Sequence, residues 1–127
     1  MTLLRKNYPH LANPAGAYVH SVKHNGLLYI SGMTAFGTIA QGRSMAEQAT
    51  EIFHQIASIV QAENSSFADL IKITIFVTDI SQLSTLRDVM YKFYGANLPA
   101  SSLVEVKGLF SPEINIEIET LFAINPA

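Results

Sequence analysis

Glu117 and Glu119 are the residues whose type and spacing most directly suggest chemistry. They lie in the run Ile114–Phe122, where Ile114, Ile116, Ile118 and Phe122 alternate with Asn115, Glu117 and Glu119. Successive side chains of a strand point to opposite faces, so this run has one apolar and one acidic face, with the two carboxylates about 7 Å apart. A carboxylate pair can hydrolyse glycosides only when the two groups flank a bond from opposite sides, which neighbours on one strand face cannot do. Ser101 has no evident His–Asp partner for triad chemistry. His10, His20, His24 and His54 are scattered. His20 and His24 share a strand face but sit too far apart for easy shared metal ligation, and read as hairpin residues. Gly32, Gly37 and Gly42 recur at five-residue intervals, yet lack the Gly-x-Gly-x-x-Gly spacing and the Lys-Ser/Thr ending of a phosphate-binding loop.

The elements that position these groups follow from periodicity. Residues 1–17 carry Pro9, Pro14 and Gly16 and read as irregular. Tyr18–His24 and Leu27–Ser31 flank Asn25-Gly26, a dipeptide suited to a two-residue hairpin turn. Ser44 and Glu47 predict a capping box for a first helix with apolar positions Ala49, Ile52, Phe53, Ile56, Ile59 and Val60, ending near Glu63-Asn64. Leu70–Thr78 reads as a strand, with Ile71, Ile73, Ile75 and Val77 on one face and Lys72, Thr74 and Phe76 on the other. Asp79 or Ser81 is expected to cap a second helix with the stripe Leu83, Leu86, Val89, Met90 and Phe93, stopped by Gly95. Ser102–Val106 and Ile114–Phe122 complete the order β-β-α-β-α-β-β. Each helix has a single apolar stripe, so the expected fold is α+β, one mixed sheet with both helices on one face.

The chain has 127 residues, 49% of them hydrophobic, and reads as one domain over 1–127. Its charged fraction is only 14% and its net charge is -2, low enough to expect part of the surface to be covered by sister subunits. No basic excess supports nucleic-acid binding. The absence of cysteine excludes disulfides and thiolate catalysis and is compatible with a reducing cytoplasm, the expected location. No apolar run is long enough for a signal peptide or a membrane span.

From about Gly16 to Ile124 the chain resembles the RidA-like reactive-intermediate (enamine/imine) deaminases, also labelled endoribonuclease L-PSP-like. The resemblance rests on Tyr18 with His20, YISG ending at Gly32, DLIKITIFVTDISQL, PASSLVEV and IEIE. It implies a chorismate-mutase-like fold and a homotrimeric barrel with helices outside. It further implies ligand clefts between subunits, no metal or cofactor, and hydrolysis of 2-imino acids to 2-oxo acids and ammonia. By the same resemblance Glu117 orients the attacking water, Tyr18 donates a hydrogen bond to the ligand, and Ser31 and Gly32 form the pocket floor. A carboxylate partly desolvated at such a cleft has a raised pKa and can shuttle a proton near neutral pH. The alternative for Glu117 is a barrel-lining carboxylate bonded to backbone or water, and for Tyr18 a cross-strand aromatic. Glu119 reads as structural.

The chain departs from the family at the substrate carboxylate. Deaminating members carry Pro-Ala-Arg-Ser, whose guanidinium is a bidentate clamp. Here the segment is Pro99-Ala100-Ser101-Ser102, so Ser101 replaces the arginine, and Leu103 replaces a common cysteine. Arg87 stands where members often have a cleft-facing asparagine. It either supplies the anion contact from another wall or is a solvated helix residue beside Asp88. The expected activity is deamination of an imine, enamine or related amino-substituted small acid other than simple 2-iminopropionate, with Ser101 shaping the pocket. The alternative is a non-catalytic trimer that binds a small metabolite. RNA cleavage or translation inhibition fits the charge balance less well.

Overall fold

The computed structural model describes residues 2–124, so residues 1 and 125–127 of the single-domain reading lie outside it. Six strands, β1 (Leu4–Lys6), β2 (Ser21–His24), β3 (Leu27–Met33), β4 (Leu70–Val77), β5 (Ala100–Glu105) and β6 (Ile116–Ala123), form one sheet. Two helices, α1 (Met45–Ala62) and α2 (Leu83–Tyr94), interrupt them. The spatial order is β1-β2-β3-β6-β4-β5, in which only β4 and β5 run parallel. The α+β fold, with helix and strand order as the sequence predicts, is therefore observed, with one strand added at the N-terminus.

β1 was not legible. Leu4–Lys6 has no alternating pattern and is exposed along its length. It is a strand because it pairs with β2, an edge that would otherwise stand open. The Asn25-Gly26 turn has φ of +53° and +75°, the geometry that a two-residue hairpin with right-handed twist requires. β2 begins at Ser21 rather than Tyr18, and β6 at Ile116 rather than Ile114, although Ile114 is itself buried.

The core lies between one sheet face and the two helices. Ile52, Phe53, Ile56 and Ile59 of α1 and Leu86 of α2 meet Ile73, Ile75, Ile116, Ile118 and Phe122 of the sheet, all fully buried. Phe53 anchors this layer. Its ring stacks on Phe93 at 5.0 Å and meets Tyr94 edge-on at 5.8 Å. Ile71 does not share the core face as its alternation predicts. The β4–β6 register shifts between Leu70 and Lys72, and the extra residue leaves Ile71 exposed.

The caps differ in detail from expectation. Ser44 caps α1 by accepting from the Glu47 N–H at 3.1 Å, but its hydroxyl then donates to the Glu47 carboxylate at 3.0 Å. Asp79 caps a short 3-10 turn, Ile80–Gln82, and not α2, which starts after Gln82 with no side-chain cap. Gly95 stops α2 with φ +58°.

Candidate functional site

The sheet face away from the helices carries Glu117, Glu119 and Leu121 of β6, Lys72, Thr74 and Phe76 of β4, and Tyr29 of β3, as the pairing registers require. At one end of this face opens a groove of about 790 Å³. Glu117 and Glu119 form part of its lining with Ser31, Gly32 and Met33. The segment Ala12–Gly16 and Tyr18 make a second wall, and Phe36 and Phe110 a third.

A bulge in β3 builds the floor. Ile30 pairs with Thr120 and Met33 with Ile118, so β3 has one residue more than β6 in this interval. Ser31 and Gly32 occupy the irregularity, which turns the backbone toward Glu117. Only glycine leaves the Glu117 side chain room to keep this position. A β-carbon at position 32 would overlap Glu117 Oε2 and lie 2.9 Å from its Cδ. The Ser31 hydroxyl donates to the Val19 carbonyl at 2.6 Å, so toward the groove it offers lone pairs only. The Tyr18 oxygen accepts from the Ala15 N–H at 3.2 Å, which leaves its own proton free to donate.

Glu117 is half-buried, and burial, reinforced by the charge of Glu119, pushes its carboxyl above the ordinary carboxylate range. Among the described residues no ion pair or hydrogen bond offsets that shift. Among the described residues, no lysine or arginine lines the groove. Among the described residues, no group of three or more His, Asp or Glu side chains is arranged to hold a metal ion.

The groove thus unites Tyr18, Ser31, Gly32 and Glu117. It does not include Arg87 or Ser101 of the same chain. Arg87 is exposed on α2, on the helix side of the sheet, with no ion-pair partner among the described residues. Ser101 pairs in register with the buried Ile73 and so points to that side too, at the exposed edge strand β5.

Two groove-building residues escape sequence reasoning. His20, read as a hairpin residue, is buried. Its Nδ1 accepts from the Tyr8 N–H at 2.9 Å, so Nε2 carries the ring proton and donates to the Ala12 carbonyl at 2.9 Å. It pins the segment that forms the second wall. Gln48, fully buried in α1, donates to the carbonyls of Arg43 (2.9 Å) and Glu113 (3.0 Å) and accepts from the Asn115 N–H (2.9 Å). It staples together the two loops that carry Phe36 and Phe110. A polar residue inside an apolar stripe was the available signal, since a buried amide must find partners.

Residues 9–124 match the family model described as Endoribonuclease L-PSP. The chain belongs to this family. Among its relatives is Protein HMF1 of Saccharomyces cerevisiae, 30% identical over 112 residues that cover 86% of this chain and 85% of the yeast protein. Another is a 2-iminobutanoate/2-iminopropanoate deaminase of Dermatophagoides farinae, 25% identical over 119 residues that cover 91% of this chain and 92% of that protein. The crystal structure of yeast Mmf1 superposes with a TM-score of 0.85 at 28% identity, covering 98% of this chain and all of that one. No helix among the described residues is long and apolar enough to cross a membrane.

Proposed function

We propose that the groove hydrolyses a C=N bond, converting an imine, or the enamine in equilibrium with it, to a carbonyl compound and ammonia. One observation carries this reading: Glu117 is a desolvated carboxylate without a cation, packed against a glycine whose missing side chain lets the carboxylate occupy that place. Such a group is poorly stabilised as an anion until a positive ligand arrives, and a protonated imine is both that cation and the electrophile. Glu117 takes a proton from water as the oxygen adds to the imine carbon. It then returns the proton to nitrogen. As the C–N bond breaks it accepts the hydroxyl proton, so that the carbonyl forms and ammonia leaves. The carboxylate is regenerated by passing that proton to water or ammonia. Tyr18 donates to the ligand from the facing wall. The deaminase named among the relatives supports the same chemistry.

The groove of one chain lacks an anion contact, and the outer sheet face lacks a cover. β4 and β5 are a parallel pair, a kind of pairing normally buried on both faces, yet Val104 is 43% exposed, and Tyr29, three strands away on the same face, is 47% exposed. We infer that the protein works as a homotrimer in which these faces turn to a shared interior and the exposed β5 edge of one copy borders the Glu117 groove of the next, so that Ser101 and Arg87 approach that groove from beyond the edge.

Two outcomes follow. In an assay that generates 2-imino acids with an amino-acid oxidase and traps the remainder with semicarbazide, the protein should accelerate imine loss, and Arg87→Ala should raise KM about ten-fold or more for carboxylate-bearing imines. No acceleration on any imine by a folded trimer would reject the reading and leave a metabolite-binding protein. The second outcome concerns the floor. Gly32→Ala should lower kcat about 100-fold with a near-unchanged melting temperature, because the added methyl meets the free end of Glu117, which swings aside at little cost in stability but leaves its catalytic position.

A further inference from the structure

The groove has an acidic end and an aromatic end, and only the first is used by imine chemistry. Phe36 and Phe110 lie edge-to-face with centroids 5.1 Å apart, and both line the groove that holds Glu117. They remain 46% and 59% exposed. Aromatic side chains left this open on one wall of a groove offer apolar contact area that nothing else in the chain uses. The two loops that carry them are not free to collapse over each other. The Gln48 amide ties both to α1, the Gly42 N–H donates to the Glu113 carbonyl at 3.2 Å, and Gln41 Nε2 donates to the Glu113 carboxylate at 2.9 Å. The pair is therefore a preorganised wall, and preorganised apolar contact is realised on ligand binding with little ordering cost.

We infer that the groove selects imines with a bulky apolar or aromatic side chain, which packs on Phe36 and Phe110 while the C=N group sits at Glu117. This rests on the imine-hydrolase reading. The aromatic wall also gives the displaced anion contact a physical sense. A substrate held by a large apolar group depends less on a carboxylate clamp than a small one does, which is compatible with Ser101 at the family's arginine position.

The test compares imines made in situ from alanine and from phenylalanine, and separately measures by calorimetry the binding of the stable products, pyruvate and phenylpyruvate. Hydrolysis of the phenylalanine-derived imine should exceed that of the alanine-derived one at least ten-fold in kcat/KM, as removal of even small apolar groups from a fitted pocket costs a factor of that order. Phe36→Ala and Phe110→Ala should bring the ratio toward one, with sedimentation showing the wild-type assembly. Imine hydrolysis with no preference, or a preference that both variants retain, would overturn the inference and leave the deaminase reading intact. If no imine is hydrolysed but phenylpyruvate binds at least ten-fold more tightly than pyruvate and Phe110→Ala abolishes the difference, the deaminase reading fails and apolar selection stands. A change in subunit number on Phe110→Ala would overturn the inference, by showing the pair to be a subunit contact.

Discussion

Glu117→Gln is expected to lower kcat for imine hydrolysis by about 10² to 10⁴, the range that a positioned general base contributes, while leaving the protein as stable as before or more so. The two halves of this expectation have one cause. Burial and the neighbouring Glu119 hold the Glu117 carboxyl above its ordinary value of 4.5. An acid whose folded pKa is raised binds protons better in the folded than in the unfolded state. Its ionised form therefore weakens the fold as pH rises through the raised value. A neutral amide of the same shape removes that penalty, so a lost activity cannot be blamed on a lost fold. The pH profile supplies the second check. The base must be ionised to accept a proton, so kcat/KM should fall on the acid side along a limb that lies above 4.5. Glu119→Gln, which removes one of the two causes of the shift, should move that limb to lower pH without abolishing turnover. A limb unmoved by Glu119→Gln would mean that another group titrates, and full activity in Glu117→Gln would reject the carboxylate as the base.

The parts of this molecule that the sequence foretold are those where a local pattern and the tertiary structure agree. The alternation in β6 placed Glu117 and Glu119 opposite the core strand face, and there they are. The Asn25-Gly26 turn and the stripe of α1 are of the same kind. What failed was decided by contacts distant in sequence. Leu4–Lys6 is a strand because β2 offers an edge, and Ile71 leaves the core face because β4 and β6 pair out of step by one residue. At the site, the family resemblance pointed to Gly32, but the reason for glycine is the Glu117 side chain arriving from another strand. Phe110 sits in a loop without periodicity, and only the fold brings it against Phe36. Arg87 and Ser101 mark the limit of reading one chain. Their place in the proposed site depends on a second copy, which no pattern within a single sequence can orient.

Glu63→Gln is expected to destabilise the protein by about 3 kcal/mol at neutral pH, the largest effect predicted for a residue outside the groove. Glu63 ends α1 with its carboxylate buried, 3% exposed. Burial alone would raise its pKa, but Lys23 at 2.7 Å, Lys6 at 2.8 Å and the Tyr8 hydroxyl at 2.9 Å all donate to it and bring it down to about 2. A fall from 4.5 to about 2 corresponds to about 3 kcal/mol of folding free energy. A depressed carboxylate contributes this above its unfolded pKa and loses it as pH drops toward the folded one. Wild-type stability should therefore decline between pH 4.5 and 2, and the decline should be largely absent in Glu63→Gln. Stability that is flat over that window in the wild type would show that the ion pairs do not hold the carboxylate. The effect should reach the groove as well. Tyr8 donates its hydroxyl proton to Glu63, accepts from Ser21, and gives its N–H to His20, whose other nitrogen holds Ala12. Loss of the Glu63 charge should loosen this chain of contacts from β1 to the second wall. Hydrogen exchange should then quicken over residues 7–16 more than in α1, with KM rising while the pH limb set by Glu117 stays in place.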